Sequence, residues 1–397
     1  MPHIFGGVLP AVPSDGAGII LPSGGGVFDR GPLVTDLYAA AGVDTDAGDR
    51  AVELMKRAVA ATHGPQVLGG VGGFAGLWDA SDLLAYRRPV LATSTDGVGT
   101  KIAIAQALGK HDTVGQDLVG MVVDDIVVVG AAPLFMTDYV ACGRVVPERI
   151  AQLVGGIAKA CAEARTALTG GETAEHPDLM GPDDYDLAGA AVGVVEADRL
   201  LGPDRVVAGD AVLAMASSGL HSNGFSLVRR ILRDSGAALS EPVAEFGRSL
   251  GEELLEPTRL YTAPLLDLLA GPHGPAVHAL SHVTGGGIAA NLARVLPAGV
   301  SVELDRATWS PQPVFRVLGE RGGFALQQAE GTWNLGIGML AVVAAESAAA
   351  VTAQLAGAGF PTWQAGEVVA GAPQGDGWTA GAKGVDGGAV RLAGAHT

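Results

Sequence analysis

From about residue 49 onward, apolar positions fall into alternating helical and strand-like runs. Val52, Met55 and Val59 make one stripe over residues 49–63, which predicts a helix stopped by Gly64 and Pro65. A glycine-rich loop follows at 68–76, then an apolar, strand-like run at 89–95. Over 115–130 the valines favour a strand. Leu118, Met121 and Val122 nevertheless separate from Asp117, Asp124 and Asp125 at helical spacing, so a helix is predicted. Residues 133–140 predict a strand. Residues 147–165 predict a helix, with proline in its first turn and Ile150, Leu153, Ile157 and Cys161 on one face. Residues 187–195 read as a further strand.

A turn-rich joint at 201–204 separates this half from a second one with the same alternation. There the pattern predicts strands at 211–215 and 336–343. It predicts helices at 226–234, ended by Gly236, at 288–296, stopped by Pro297, and at 345–356. The expected architecture is α/β (α+β) with two domains, 34–203 and 204–370. Residues 1–33 hold eight glycines, five prolines and three charges, and are expected to be disordered. Periodic sequence begins abruptly near Val34, and valine shares a codon with an alternative bacterial start. The native chain is therefore expected to begin there, which N-terminal sequencing tests. The glycine-rich stretch 371–397 is expected to be a loosely ordered tail.

Composition narrows the function. The 397 residues suffice for two cores, and 60 glycines imply many tight turns and close backbone approaches. The formal net charge is −17, with no basic cluster, which argues against nucleic acid as a partner and favours a small-molecule ligand. The most membrane-like run, 118–136, carries Asp124 and Asp125 at its centre, which argues against a membrane span. The N-terminus lacks the basic region of a signal peptide. Cys142 and Cys161 have neither metal-site spacing nor the number for a disulfide framework, so a cytoplasmic protein with reduced thiols is expected.

Five polar, glycine-rich segments carry the candidate chemistry. The first is Asp96, Gly97, Val98, Gly99, Thr100, Lys101, following the strand at 89–95. Its glycines let backbone N–H groups approach phosphate, its carboxylate can hold a divalent cation, and its lysine is a point charge. It does not fit the Walker A spacing. Asp117 and Asp124, two helical turns apart, and nearby Asp125 read either as magnesium ligands or as a solvated or N–H-capping face. Thr169, Gly170, Gly171 and Glu172 read as a strand-to-loop bend presenting Glu172, or as an ordinary turn. Residues 217–226 set His221 and Asn223 before a helix, which Ser222 or Asn223 can cap, or whose start can bind an anion with His221 available to move a proton. Thr284, Gly285, Gly286 and Gly287 open another helix. Three glycines there suit phosphate contact or flexible capping. In residues 332–339, Asn334 is a polar ligand candidate or a buried, satisfied amide.

Together and in this order, from about Leu37 to Ala370, the segments closely resemble the phosphoribosylformylglycinamidine cyclo-ligases, or aminoimidazole ribonucleotide synthetases. The matching stretches are 38–44, 69–76, 96–101, 117–125, 170–175, 219–226, 282–287 and 334–339. Related ATP-using families include formylglycinamidine ribonucleotide synthetase, selenophosphate synthetase, thiamine-phosphate kinase and a hydrogenase maturation factor. Selenophosphate synthetases typically need a reactive cysteine or selenocysteine in the glycine loop, and residues 69–76 have none.

The resemblance implies a homodimer whose N-terminal domains, binding ATP, pair their sheets across the dimer axis. It implies ATP-dependent closure of the imidazole ring in purine biosynthesis, on a phosphoribosyl substrate. It further implies that Asp96, Asp125 and Glu172 hold magnesium and that Lys101 meets a phosphate. Gly69, Gly70, Gly72 and Gly73 would close over the nucleotide, with Gly97, Gly99, Thr100, Gly170 and Gly171 lining its site. His221 and Asn223 would orient substrate or shuttle a proton, and Thr284–Gly287 would receive a phosphate. Ala75 and Trp333 depart from the family pattern, which puts loop motion in question. A sister kinase, or a non-catalytic nucleotide-binding subunit, is the competing expectation.

Overall fold

The computed structural model describes residues 44–396 apart from 372, 374 and 383. The expected disordered segment, the Val34 start and most of the 38–44 match lie outside the described residues. The first helix, α1 (Thr45–Ala60), starts earlier than its apolar stripe because Asp44 caps it, its Oδ1 accepting the Ala47 N–H at 2.9 Å.

The first sheet has four strands: β1 (Pro89–Gly97), β2 (Ala132–Cys142), β3 (Ala167–Glu175) and β4 (Tyr185–Glu196). Their order is β1-β4-β2-β3, with β2 and β3 parallel and the other pairs antiparallel. Helices α2 (Val114–Val128) and α3 (Pro147–Glu163) cover one face, and α1 packs on α3. The other face leaves Leu91, Thr93, Thr95, Thr137 and Tyr139 exposed. The strand-to-loop bend expected at Gly170 and Gly171 is corrected: after a one-residue register shift at Thr169, β3 continues through both. A Cβ on Gly171 would lie 2.2 Å from Oδ1 of Asp138 on β2, so glycine is what lets the strands pair here.

The second sheet has seven strands: β5 (Ala211–Ala216), β6 (Val277–His282), β7 (Val300–Asp305), β8 (Ile337–Val343), β9 (Thr362–Ala370), β10 (Thr379–Ala382) and β11 (Val385–Ala393). Their order is β6-β8-β5-β9-β7-β11-β10. The expectation of a loose tail at 371–397 is therefore corrected. Strand β11 pairs in parallel with β7, and Val390 is fully buried. Its glycines are there for close packing, since a Cβ on Gly387 would come within 2.0 Å of the Ala293 carbonyl.

Helix α2 explains how the halves meet. It packs on β1 and β4 of its own sheet and on β6 of the other. A helix between two sheets must be apolar nearly all round, which is why the valines of 115–130 give a mixed signal.

Candidate active site

Two carboxylates of α2 are anchors. Asp117 and Asp124 are fully buried. Oδ1 of Asp117 accepts the Thr258 N–H at 2.9 Å and its Oγ1–H at 2.7 Å. Asp124 accepts the Tyr261 N–H at 3.0 Å and the Thr262 hydroxyl at 2.7 Å. They fix the loop leading into the helix Thr262–Ala270 to the first domain, so the capping reading applies and the magnesium reading does not. Burial pushes the Asp124 carboxyl up to about 6, against the nearby charge of His282 and the hydrogen bonds from Thr262 and Tyr261.

Lys101 requires the largest correction. Its ammonium is completely buried and does not face a ligand. Nζ donates to Asp117 Oδ1 at 2.8 Å, to the His221 carbonyl at 3.0 Å and to the Glu256 carbonyl at 2.6 Å. An ammonium has three donors, and all three are used. Burial pulls the Lys101 pKa down and pushes that of Asp117 up, while their mutual attraction opposes both shifts.

The same contacts bring the candidate segments together. The Ser222 hydroxyl donates to the Val98 carbonyl at 2.6 Å, and Thr100 Oγ1 lies 3.4 Å from Ser226 Oγ. Asn223 Oδ1 sits against Gly285, 3.3 Å from where a Cβ would be. Gly287 passes so close to the Glu330 carbonyl that a Cβ would lie at 1.6 Å, and its φ is +75°. Both features account for a glycine at that position. Asn334 is the satisfied amide: Nδ2 donates to the Gly219 carbonyl at 2.9 Å, and Oδ1 accepts the Gly336 N–H at 2.9 Å. Trp333 is fully buried between Phe315 and Phe324. Ala75 is not among the non-glycine residues with positive φ, so it strains nothing.

His221 is buried in a left-handed conformation, φ +59°. Its Nε2 accepts the Ser218 N–H at 3.2 Å, which places the proton on Nδ1, and Nδ1 has no partner among the described residues. Burial, with the charges of His282, Lys101 and Arg259, holds His221 well below the ordinary histidine range. It is a neutral donor. His282 is the residue that sequence reasoning missed. Its Nδ1 is 2.9 Å from Asp125 Oδ1. Burial opposes protonation, but Asp125, joined by Asp124 and Asp96, raises its pKa. The signal was present, since the histidine stands two residues before the Thr-Gly-Gly-Gly run.

Asp96 and Asp125 thus both act on His282, and they lie at one end of the site. Glu172 does not join them. In the cross-strand row Gly97, Ala188, Tyr139, Glu172, three strand spacings separate β1 from β3, about 14 Å. Glu172 is moreover exposed, in register with Tyr139 on the open face. Among the described residues no group of three His, Cys, Asp or Glu side chains could hold a metal ion by itself. Two carboxylates suit a hard, partly hydrated cation that takes its remaining ligands from a phosphate, as magnesium does.

Gly70, Gly72, Gly73, Gly170, Gly171 and Glu172 line a different place, a cleft of about 570 Å³ under the 69–76 loop. Gly69 and Gly72 have φ of +83° and +105°, and Phe74 at the loop tip is fully exposed. Apolar residues of α1 form one wall, and Thr137 and Asp138 of β2 also line the cleft.

A family model described as "AIR synthase related protein, N-terminal domain" matches residues 81–195, and its C-terminal counterpart matches 207–375. The phosphoribosylformylglycinamidine cyclo-ligase of Geobacillus kaustophilus is 48% identical over 336 residues, covering 84% of this chain and 96% of the relative. That of Alkaliphilus oremlandii is 46% identical over 338 residues, covering 85% and 98%. Among solved structures, a thiamine-monophosphate kinase from Stenotrophomonas maltophilia aligns with TM-score 0.61 at 19% identity, over 87% of this chain and 97% of that one. The E. coli hydrogenase maturation protein HypE aligns at 0.57 and 20%, over 86% and 92%. At such identities these two likenesses show the fold alone.

Proposed function

The chain belongs to the phosphoribosylformylglycinamidine cyclo-ligase family, and from that premise we propose how its residues carry the reaction. The reaction is the ATP-dependent ring closure of formylglycinamidine ribonucleotide to 5-aminoimidazole ribonucleotide, in purine biosynthesis. An amide oxygen is a poor leaving group, so the γ-phosphoryl of ATP goes to that oxygen. An O–P bond forms and ADP leaves. The amidine nitrogen then attacks the activated carbon, a C–N bond forms, the C–O bond breaks, and phosphate and a proton are released. Holding both ends of one molecule together makes the closure intramolecular.

The convergence of residues 96–101, 217–226 and 281–287 at the junction of the two domains supports this reading best. Asp96 and Asp125 would hold magnesium, which offsets phosphoryl charge. Glu172, remote from both, would act at the glycine-loop cleft instead. Gly69, Gly70, Gly72, Gly73, Gly170 and Gly171 would enclose the nucleotide. Gly97, Gly99 and Thr100 would line the path between the two places. Gly285 and Gly286, with Thr284 and Gly287, would receive a phosphate. His221 orients substrate through its Nδ1–H, because an imidazole held neutral donates one hydrogen bond and resists taking a second proton. Asn223, beside Gly285, orients it from the other side.

The open face of the first sheet supports a homodimer. It presents Leu91, 60% exposed, and Tyr139, 41% exposed, on a layer covered from one side only. No described helix is long and apolar enough to cross a membrane. With two buried free thiols, a cytoplasmic enzyme is the reading. The deciding assay measures phosphate release from ATP and magnesium, with and without formylglycinamidine ribonucleotide, alongside aminoimidazole by diazo coupling. Release only with substrate, matched one-to-one by aminoimidazole, is expected. Release without aminoimidazole would indicate a sister kinase or synthetase. ATP binding without release would indicate a binding subunit.

A further inference from the structure

Asp138 is used by nothing described so far. It sits in the middle of β2, where Met136, Asp138 and Val140 alternate onto the helix-covered face of the sheet. It is 9% exposed, and no other described residue donates a hydrogen bond to it. A carboxylate in that position is costly to bury and is not retained for packing. Burial pushes it up to about 7, offset only by its own backbone N–H. Around it the strands make room, because its Oδ1 occupies the place where a side chain at position 171 would begin.

The carboxylate lines the cleft of about 570 Å³ under the glycine loop. The wall beside it is apolar, made by Ala51, Val52, Met55 and Val59 of α1 with Val154 and Leu168, while Thr137, Thr169, Glu172 and Thr173 line the rest together with the glycine loop. An apolar wall beside one buried acceptor is a poor match for a hydrated cation, which needs several polar partners on the same side. It suits a flat, apolar ring that carries one N–H donor at its edge.

We propose that Asp138 reads the base of the nucleotide, its carboxylate accepting a hydrogen bond from the exocyclic amine of an adenine ring seated between α1 and the glycine loop. This rests on the reading of the chain as an ATP-dependent enzyme and adds to it a specificity-determining residue. An amine donor at the carboxylate favours its ionised form, which only accepts, so above about pH 7 a 6-oxopurine would set oxygen against oxygen and be rejected. A hydrogen bond to a charged group implies a preference for ATP over inosine triphosphate of about 10- to 100-fold.

The test measures binding of ATP and of inosine triphosphate by calorimetry, and their KM values, in the wild type and in Asp138→Asn. The amide can turn its NH2 group toward a 6-oxo group. The variant should therefore bind ATP about 10- to 100-fold more weakly and lose most of the preference between the two nucleotides, with the KM for the ribotide unchanged. An unchanged preference in Asp138→Asn overturns the proposal. So does a loss that high magnesium restores, since that would make Asp138 a cation ligand. Should Asp138→Asn fail to fold, the wild type must bind purine riboside triphosphate, which lacks the exocyclic amine, about 10- to 100-fold more weakly than ATP, and equal binding overturns the proposal. Wild-type protein that binds neither nucleotide overturns the proposal together with the ATP reading. Wild-type turnover with an unaltered variant overturns the proposal alone.

Discussion

Replacing Lys101 by methionine separates two roles that a lysine beside glycines can have. If the ammonium held a phosphate, its loss would raise the KM for ATP and leave stability almost untouched. The contacts predict the reverse. Lys101→Met removes a charge at 2.8 Å from Asp117 and leaves that carboxylate buried, with only the two donors of Thr258. Breaking a buried pair from one side costs about 3–5 kcal/mol. With an unfolding entropy of about 2.1 cal/mol/K per residue, the 397 residues give roughly 0.8 kcal/mol/K, so the melting temperature should fall by about 4–6 °C. Two carbonyls, those of His221 and Glu256, lose a donor as well, so the domain junction itself loosens.

The assay is differential scanning calorimetry, paired with steady-state kinetics at a temperature where the variant is fully folded. The expected result is a lowered melting temperature and a KM for ATP within about threefold of the wild type. Lys101→Met combined with Asp117→Asn removes the orphaned charge and should recover part of the loss. A single variant that melts with the wild type and shows a KM for ATP raised tenfold or more would refute the structural role and return Lys101 to the phosphate.

Three further outcomes follow from the same geometry. Because Asp138 titrates near 7 in the folded chain against 3.8 unfolded, the native state keeps a proton that the unfolded state has lost. Stability should therefore fall as pH rises from about 4 to about 7, by on the order of 4 kcal/mol, and Asp138→Asn should remove that part of the slope in chemical denaturation. Asp124 acts in the same sense, so the difference between wild type and variant is the quantity to compare. Asp125→Asn should raise the magnesium concentration for half-maximal activity by about tenfold, whereas Glu172→Gln, about 14 Å from Asp96, should shift it much less; equal shifts would contradict the separation of the two places. Leu91→Lys should convert the proposed dimer to monomers in sedimentation velocity, and an unchanged mass would exclude the open sheet face as the dimer contact.

What could be read from the chain, and what could not, divides along one physical line. Periodicity reports which face of an element is covered, so α1, α2, α3 and the strands β1, β2, β4, β5 and β8 were all legible, with ends off by a few residues. Glycine clusters report close backbone approach, so the segments that meet at the junction were legible too. Neither signal reports a partner. Lys101 has the same neighbours in sequence whether it faces a phosphate or Asp117, and its deciding contacts come from Asp117, His221 and Glu256. The tail failed for a related reason. In residues 385–393 the glycines hide the alternation of a strand, although Gly387 is required only because the Ala293 carbonyl lies against it. Asp138 is the instructive case, because its signal existed. An acid standing between Met136 and Val140 in a run already assigned to a strand is in the buried register. A carboxylate forced into that register by alternation alone must have a partner or a ligand, and here the described chain offers it only its own backbone N–H.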